Sequence, residues 1–199
     1  MKIRDRCVLG VSVHTGWAAC VIACGSVRAP RLVAREEIEL LGDAERFVYH
    51  RAALERSDAE RSVERARKVA TERAIAALGR LVERVRADGH DVAACAIVAN
   101  EANEGDALPL DDILAAHPRI HTAEGRLYRD ALRAAADAIG LPTRFIPPRS
   151  VETAAAKAMR VRPGELPALL VDVGRAVGRP WAKDQKAASL AAWTLLAGL

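Results

Sequence analysis

The stretch that decides the fold is Cys7-Val8-Leu9-Gly10-Val11-Ser12-Val13-His14-Thr15-Gly16-Trp17-Ala18-Ala19-Cys20-Val21-Ile22-Ala23-Cys24. Cys7 to Val13 is an unbroken apolar run, the pattern of a strand buried on both faces. His14-Thr15-Gly16 interrupts it with turn residues, and Gly16 to Cys24 resumes as a second apolar strand. Two such runs around a short Gly-containing break read as a hairpin. Outward from it, Arg31 to Leu40 alternates around Leu32, Ala34, Ile38 and Leu40, which predicts a third antiparallel strand.

A long helix follows. Ser57 with Glu60 fits a capping box. Apolar residues then recur at Ala59, Val63, Ala66, Ala70, Ala74, Leu78, Leu81 and Val85, one face of a helix that stops at Gly89. Phe47-Val48-Tyr49 either extends this helix upstream or forms a separate piece. Asp91 to Ala99 predicts a central strand, and an acidic loop runs from Asn100 to about Asp111. Next come a helix from about Thr122 to Ile139, a short strand from Thr143 to Ile146, and a helix capped by Ser150 reaching Met159. A short helix near Leu166 to Val173 and a last one from Ala182 to Leu196 complete the chain.

Three antiparallel strands followed by helix–strand crossovers predict a mixed five-stranded sheet with helices on both faces, in the ribonuclease H-like order. The 199 residues fit one domain, 1–199. Apolar residues make up 51% and charged residues 28%, a globular composition without a disordered tract. No apolar run approaches the roughly 18–20 residues of a membrane span, and the first residues lack a signal-peptide pattern, so a cytoplasmic protein without membrane contact is expected. The net charge of +4 is spread among acids, as in Glu60-Arg61 and Glu64-Arg65, and is not gathered into a basic tract. Cys7, Cys20, Cys24 and Cys95 form no CxxC pair and sit among apolar neighbours, which reads as reduced core cysteine.

Several segments carry a resemblance. Val8 to Ala18 resembles the opening hairpin of RuvC-type Holliday junction resolvases, in which the first strand ends in an Asp before a Pro-Gly turn. Ile146-Pro147-Pro148-Arg149-Ser150-Val151 is similar to the segment after that family's fifth strand. Asp184 with Ala187-Ala188-Ser189-Leu190-Ala191-Ala192 is similar to its last motif. The resemblance implies a phosphodiesterase using two divalent ions, which needs converging carboxylates. Here the first-strand carboxylate position holds Ser12. The second falls at the end of the central strand, at Val98 on a strict register or at Glu101 on a shifted one, with Glu104 in reserve. In the last helix Asp184 remains, but Ala187 stands where a second Asp is common.

The expectation is therefore a resolvase relative with incomplete carboxylates that binds structured or branched nucleic acid, or a protein, through the old active-site edge. Ser12, His14, Asn100, Glu104 and Lys183 are its candidate binding residues. One alternative is an active endonuclease with Glu101 and Asp184 as catalytic and Mg²⁺-ligating residues. Another is an oligomeric scaffold. No cofactor is expected for the inactive reading. The resemblance also implies a homodimer, for which the Ala-rich long helix offers a surface. Arg149 and Lys186 are further candidates for phosphate contact. Trp181 reads as a lid on the core rather than a base-stacking platform. Thr122 reads as the N-cap of the next helix, with Glu124 in its first turn; His117 and His121, with Glu124 nearby, are compatible with a metal, but no HExxH or similar helical spacing is read there, which favours capping and packing.

Overall fold

The computed structural model describes residues 5–26, 29–101 and 108–199. The strands are β1 (Arg6–Val13), β2 (Trp17–Ser26), β3 (Ala29–Glu39), β4 (Asp91–Val98) and β5 (Thr143–Ile146). They form one sheet in the order β3-β2-β1-β4-β5. The β1–β2 and β2–β3 pairs are antiparallel, whereas β1–β4 and β4–β5 are parallel. The expected mixed five-stranded sheet is the one observed.

Both faces of the sheet are covered, which is why β1, β2 and β4 read as continuous apolar runs. Cys7, Leu9 and Val11 of β1 face one core, built with α1 (Val48–Leu54), α2 (Ala59–Ala87), α3 (Leu110–Leu114) and α4 (His117–Ala138). Val8, Val21, Ala96 and Val98 face the other, built with α5 (Val151–Met159), α6 (Leu166–Val177) and α7 (Lys183–Leu196). Every apolar position singled out along α2 is buried. The alanines among these positions are therefore occupied within the chain, while Ala76 and Ala87 are exposed along with the Arg and Glu side chains of the outer face. Among the described residues no helix is long and apolar enough to cross a membrane.

Two glycines have geometric work in the hairpin. Gly16 takes φ +87° in the turn, and its carbonyl accepts the amides of Leu40 and Leu41. Gly10, in mid-strand, lets α7 lie directly on β1: a Cβ there would stand 2.0 Å from the Ala188 carbonyl oxygen.

Four sequence expectations need correction. Ser57 does not cap α2; a 3₁₀ turn at Arg56–Asp58 precedes it and Asp58 holds the N-cap position. Of the two readings of Phe47-Val48-Tyr49 the separate piece is the one observed, helix α1, but α3 begins at Leu110, inside what reads as loop. The helix expected from Thr122 starts five residues earlier, at His117, with Pro118 in its first turn; proline is tolerated there because those N–H groups have no intrahelical partner. Thr122 donates instead to the Pro118 carbonyl, and Glu124 is buried rather than exposed in a first turn. Finally, Cys7 and Cys24 are joined by a disulfide, since the β1–β2 register sets them directly opposite with Cα atoms 4.2 Å apart. Cys20 and Cys95 remain free, buried thiols.

Burial pushes the Cys95 thiol up to about 12 and that of Cys20 well above its ordinary range. The unfolded chain releases these protons above about pH 8.5 whereas the folded chain holds them. Stability is therefore expected to be intact below pH 8.5 and to fall as pH rises toward 12, read as a declining urea midpoint. Thiol titration of denatured, unreduced protein should find two reactive groups, and four after reduction. Gly10→Ala should cost about 3 kcal/mol or more by forcing α7 off the sheet, seen as a fall in Tm of roughly 10 °C.

Candidate functional site

At the C-terminal end of β1 the chain passes from strand to turn, and two of the sequence candidates, His14 and Asp184, meet there. Ser12 is the last fully enclosed residue of β1, 5% exposed, with Ala19 of β2 on one side and Val98 of β4 on the other. The strict register thus sets Val98, not Glu101, beside Ser12. His14 lies beyond the strand. Its backbone amide donates to the Trp17 carbonyl at 2.9 Å, closing the turn. Its ring stacks on the Trp17 indole with centroids 4.4 Å apart and planes 9° from parallel.

The His14 ring also reaches α7. Nε2 and Asp184 Oδ1 are 2.6 Å apart. An ionised carboxylate only accepts, so Nε2–H donates. Asp184 is in the first turn of α7, where the helix dipole favours negative charge. Next to it, Gln185 is buried and doubly used: Oε1 accepts the Ala182 amide at 3.0 Å, and Nε2 donates to Glu37 Oε1 of β3 at 2.8 Å. The loop leading into α7 is tied to the sheet by Arg35, whose guanidinium donates to the carbonyls of Gly178, Arg179 and Pro180. Trp181 lies against Gly174 and donates its indole N–H to the Leu170 carbonyl at 2.8 Å, so it covers α6 as a lid.

Sequence reasoning singled out Ser12, His14, Lys183 and Asp184 but missed Trp17, Arg35, Glu37 and Gln185. Trp17 was visible as the residue after the turn glycine. Glu37 and Arg35 had no signal, because outward polar residues alternate along β3 in any case. Gln185 carried one: it stands three residues after the N-cap position Ala182, where a Gln side chain reaches back to the cap amide.

Asn100 and Glu101 are exposed just past β4. The Asn100 carbonyl accepts from Arg129 of α4 at 3.3 Å. Glu104 lies outside the described residues, as does Asn103. Lys183 and Arg149 are exposed, and Lys186 is half-buried.

Two hard cations would need several oxygen ligands around one point. Among the described residues, the groups of three or more His, Cys, Asp or Glu that converge closely are Cys7, Cys24 and His90, whose two sulfurs are tied up in the disulfide, and His50, His117 and His121. Neither contains Glu101 or Asp184. At the β1 end the one carboxylate from α7 already accepts a hydrogen bond from His14, and a neutral hydroxyl stands on the strand. Among the described residues, Asp184 thus belongs to no converging set of the kind a two-ion carboxylate centre needs.

No family model and no curated protein matches the sequence. Solved structures do match. The structure of Thermus thermophilus RuvC in complex with a Holliday junction substrate superposes with a TM-score of 0.56 at 15% identity, over 95% of this chain and 91% of that one. A further Thermus thermophilus RuvC structure gives the same TM-score and identity, over 94% and 92%. The chain has the RuvC fold, a mixed five-stranded ribonuclease H-like sheet flanked by helices on both faces.

Proposed function

We propose that this protein is a resolvase-like nucleic-acid-binding protein that engages branched DNA at the Ser12–Asp184 edge without cutting it by two-metal chemistry. The observation that carries the reading is Ser12. A strand-end residue flanked by Ala19 and Val98 gives a divalent ion one weak oxygen where the resemblance calls for a charged one. The His14–Asp184 hydrogen bond supports it further, because it gives the remaining carboxylate a protein partner at 2.6 Å. What is left at the edge suits binding. Lys183, adjacent to Asp184 in the chain, and Arg149, just past β5, are exposed cations, and Trp17 with His14 forms a stacked aromatic pair in the β1–β2 turn. That RuvC was solved with a Holliday junction supports a branched substrate class for this fold.

The test is a binding and cleavage pair on one preparation. In EDTA, a four-way DNA junction should be retarded more strongly than duplex of the same length. Lys183→Gln and Arg149→Gln should each lower the slope of log K against log salt by about one. With Mg²⁺ or Mn²⁺ the junction should stay intact. Cleavage that disappears in Asp184→Ala would overturn the inactive reading in favour of a nuclease that uses Glu101 and Asp184. Equal affinity for junction and duplex would overturn the branched-substrate reading.

A further inference from the structure

On the opposite face of the sheet from Ser12 and Asp184, three histidines come together. His117 and His121 are one turn apart at the start of α4 and so project from the same helix face. His50 comes from α1, which packs against that face. The ring centroids are 4.4 Å apart for His117 and His121, 4.8 Å for His50 and His121, and 5.3 Å for His50 and His117. One ring nitrogen from each lies within 4.8 Å of the other two. Metal–nitrogen bonds of about 2.0–2.1 Å in a tetrahedral centre require nitrogens roughly 3.3–3.4 Å apart. His117 and His121 are exposed and free to rotate by that difference.

Behind the cluster stands Glu124, only 3% exposed. Its Oε1 accepts the backbone amides of Tyr49 at 3.1 Å and His50 at 3.4 Å. Its Oε2 lies 3.1 Å from His50 Nδ1, within ion-pair distance but out of line for a hydrogen bond, and that buried nitrogen has no other partner. A carboxylate behind one ring nitrogen draws the proton to Nδ1 and leaves the Nε2 lone pair for a metal, the arrangement that orients metal-bound histidines generally. Glu124 thus satisfies first-turn amides of α1 with one oxygen and stands behind one imidazole with the other, with two more imidazoles in front.

We infer that His50, His117 and His121 form a binding site for a divalent transition-metal ion of the Zn²⁺ class, with Glu124 as the residue that positions His50. Three neutral imidazoles select Zn²⁺, Co²⁺, Ni²⁺ or Cu²⁺ over Mg²⁺ or Ca²⁺. Three protein ligands leave the fourth position to water, and the exposure of His117 and His121 opens it to solvent. The N-terminal end of a helix disfavours a cation, and the Glu124 charge offsets that. Because one ligand comes from α1 and two from α4, the ion clamps those helices together. The site is independent of the proposed DNA-binding edge and stands or falls separately from it.

The experiment uses the untagged full chain stripped with EDTA and dialysed free of it. Zn²⁺ titrated by calorimetry should bind at about one equivalent, and Zn²⁺ should raise Tm. Co²⁺ should give the intense visible absorption of a four-coordinate centre. His117→Gln with His121→Gln, both at exposed positions, should keep the fold, lower affinity more than about a hundredfold and abolish the Tm rise. Glu124→Gln should lower affinity about 10–100-fold. No binding by the unaltered chain would overturn the inference. So would full affinity in the double variant, which would move the ion to another site such as Cys7, Cys24 and His90 in their reduced form.

Discussion

The arrangement of this molecule depends on one close approach. Where β1 carries Gly10, the backbone of α7 at Ala188 comes down onto the strand, and no side chain intervenes. Small residues continue the seam, with Ala188, Ala191 and Ala192 fully enclosed between helix and sheet. The helix therefore has a fixed height above β1. Its first turn then arrives at the end of the strand, and Asp184 comes within hydrogen-bond distance of a histidine 170 residues earlier. Arg35 and Gln185 hold that end of α7 from the side, through loop carbonyls and through Glu37. The local geometry of the edge is thus a property of packing between distant segments, with polar contacts fixing its rotation.

Most of the fold was legible because its strands and long helices are buried on predictable faces. β5 is legible to the residue, as a short β-prone segment, Thr143 to Ile146, between Pro142 and Pro147. The stripe of α2 was read correctly in every position named, since a 3.6-residue period survives over eight turns. Helix beginnings were less legible. Ser57 and Thr122 are good capping residues by type, yet neither caps a helix here. At Thr122 the reason is local: a Thr hydroxyl one turn into a helix bonds back to the carbonyl four residues before it, as this one does to Pro118.

The edge around Ser12 was legible residue by residue but not as a set. Ser12 and His14 were noticeable beside the turn, and Asp184 beside the alanine-rich run, yet nothing in their spacing states that His14 and Asp184 touch. The partner of Ser12 across β4 was undecided between Val98 and Glu101, because register depends on where β4 begins to pair. A bulge between Cys7 and Val8 shifts that pairing by one residue, and no pattern in the sequence marks it. The cysteines went unpaired for a related reason: Cys7 and Cys24 become neighbours only once the hairpin register is known.

The 29-residue helix α2 has a further consequence for motion. At 1.5 Å per residue it is about 43 Å long, against about 26 Å for an eight-residue strand such as β1 or β4, so it is longer than those strands. The half nearer its C-terminus buries Leu78, Leu81, Val82 and Val85. The other half buries three alanines and Val63, with α1 packed beside it through Arg67 and the Tyr49 hydroxyl. Apolar area, and with it the free energy of local opening, is unevenly divided along one continuous rod. The half that carries α1 is thus anchored by less apolar area than the half that follows it.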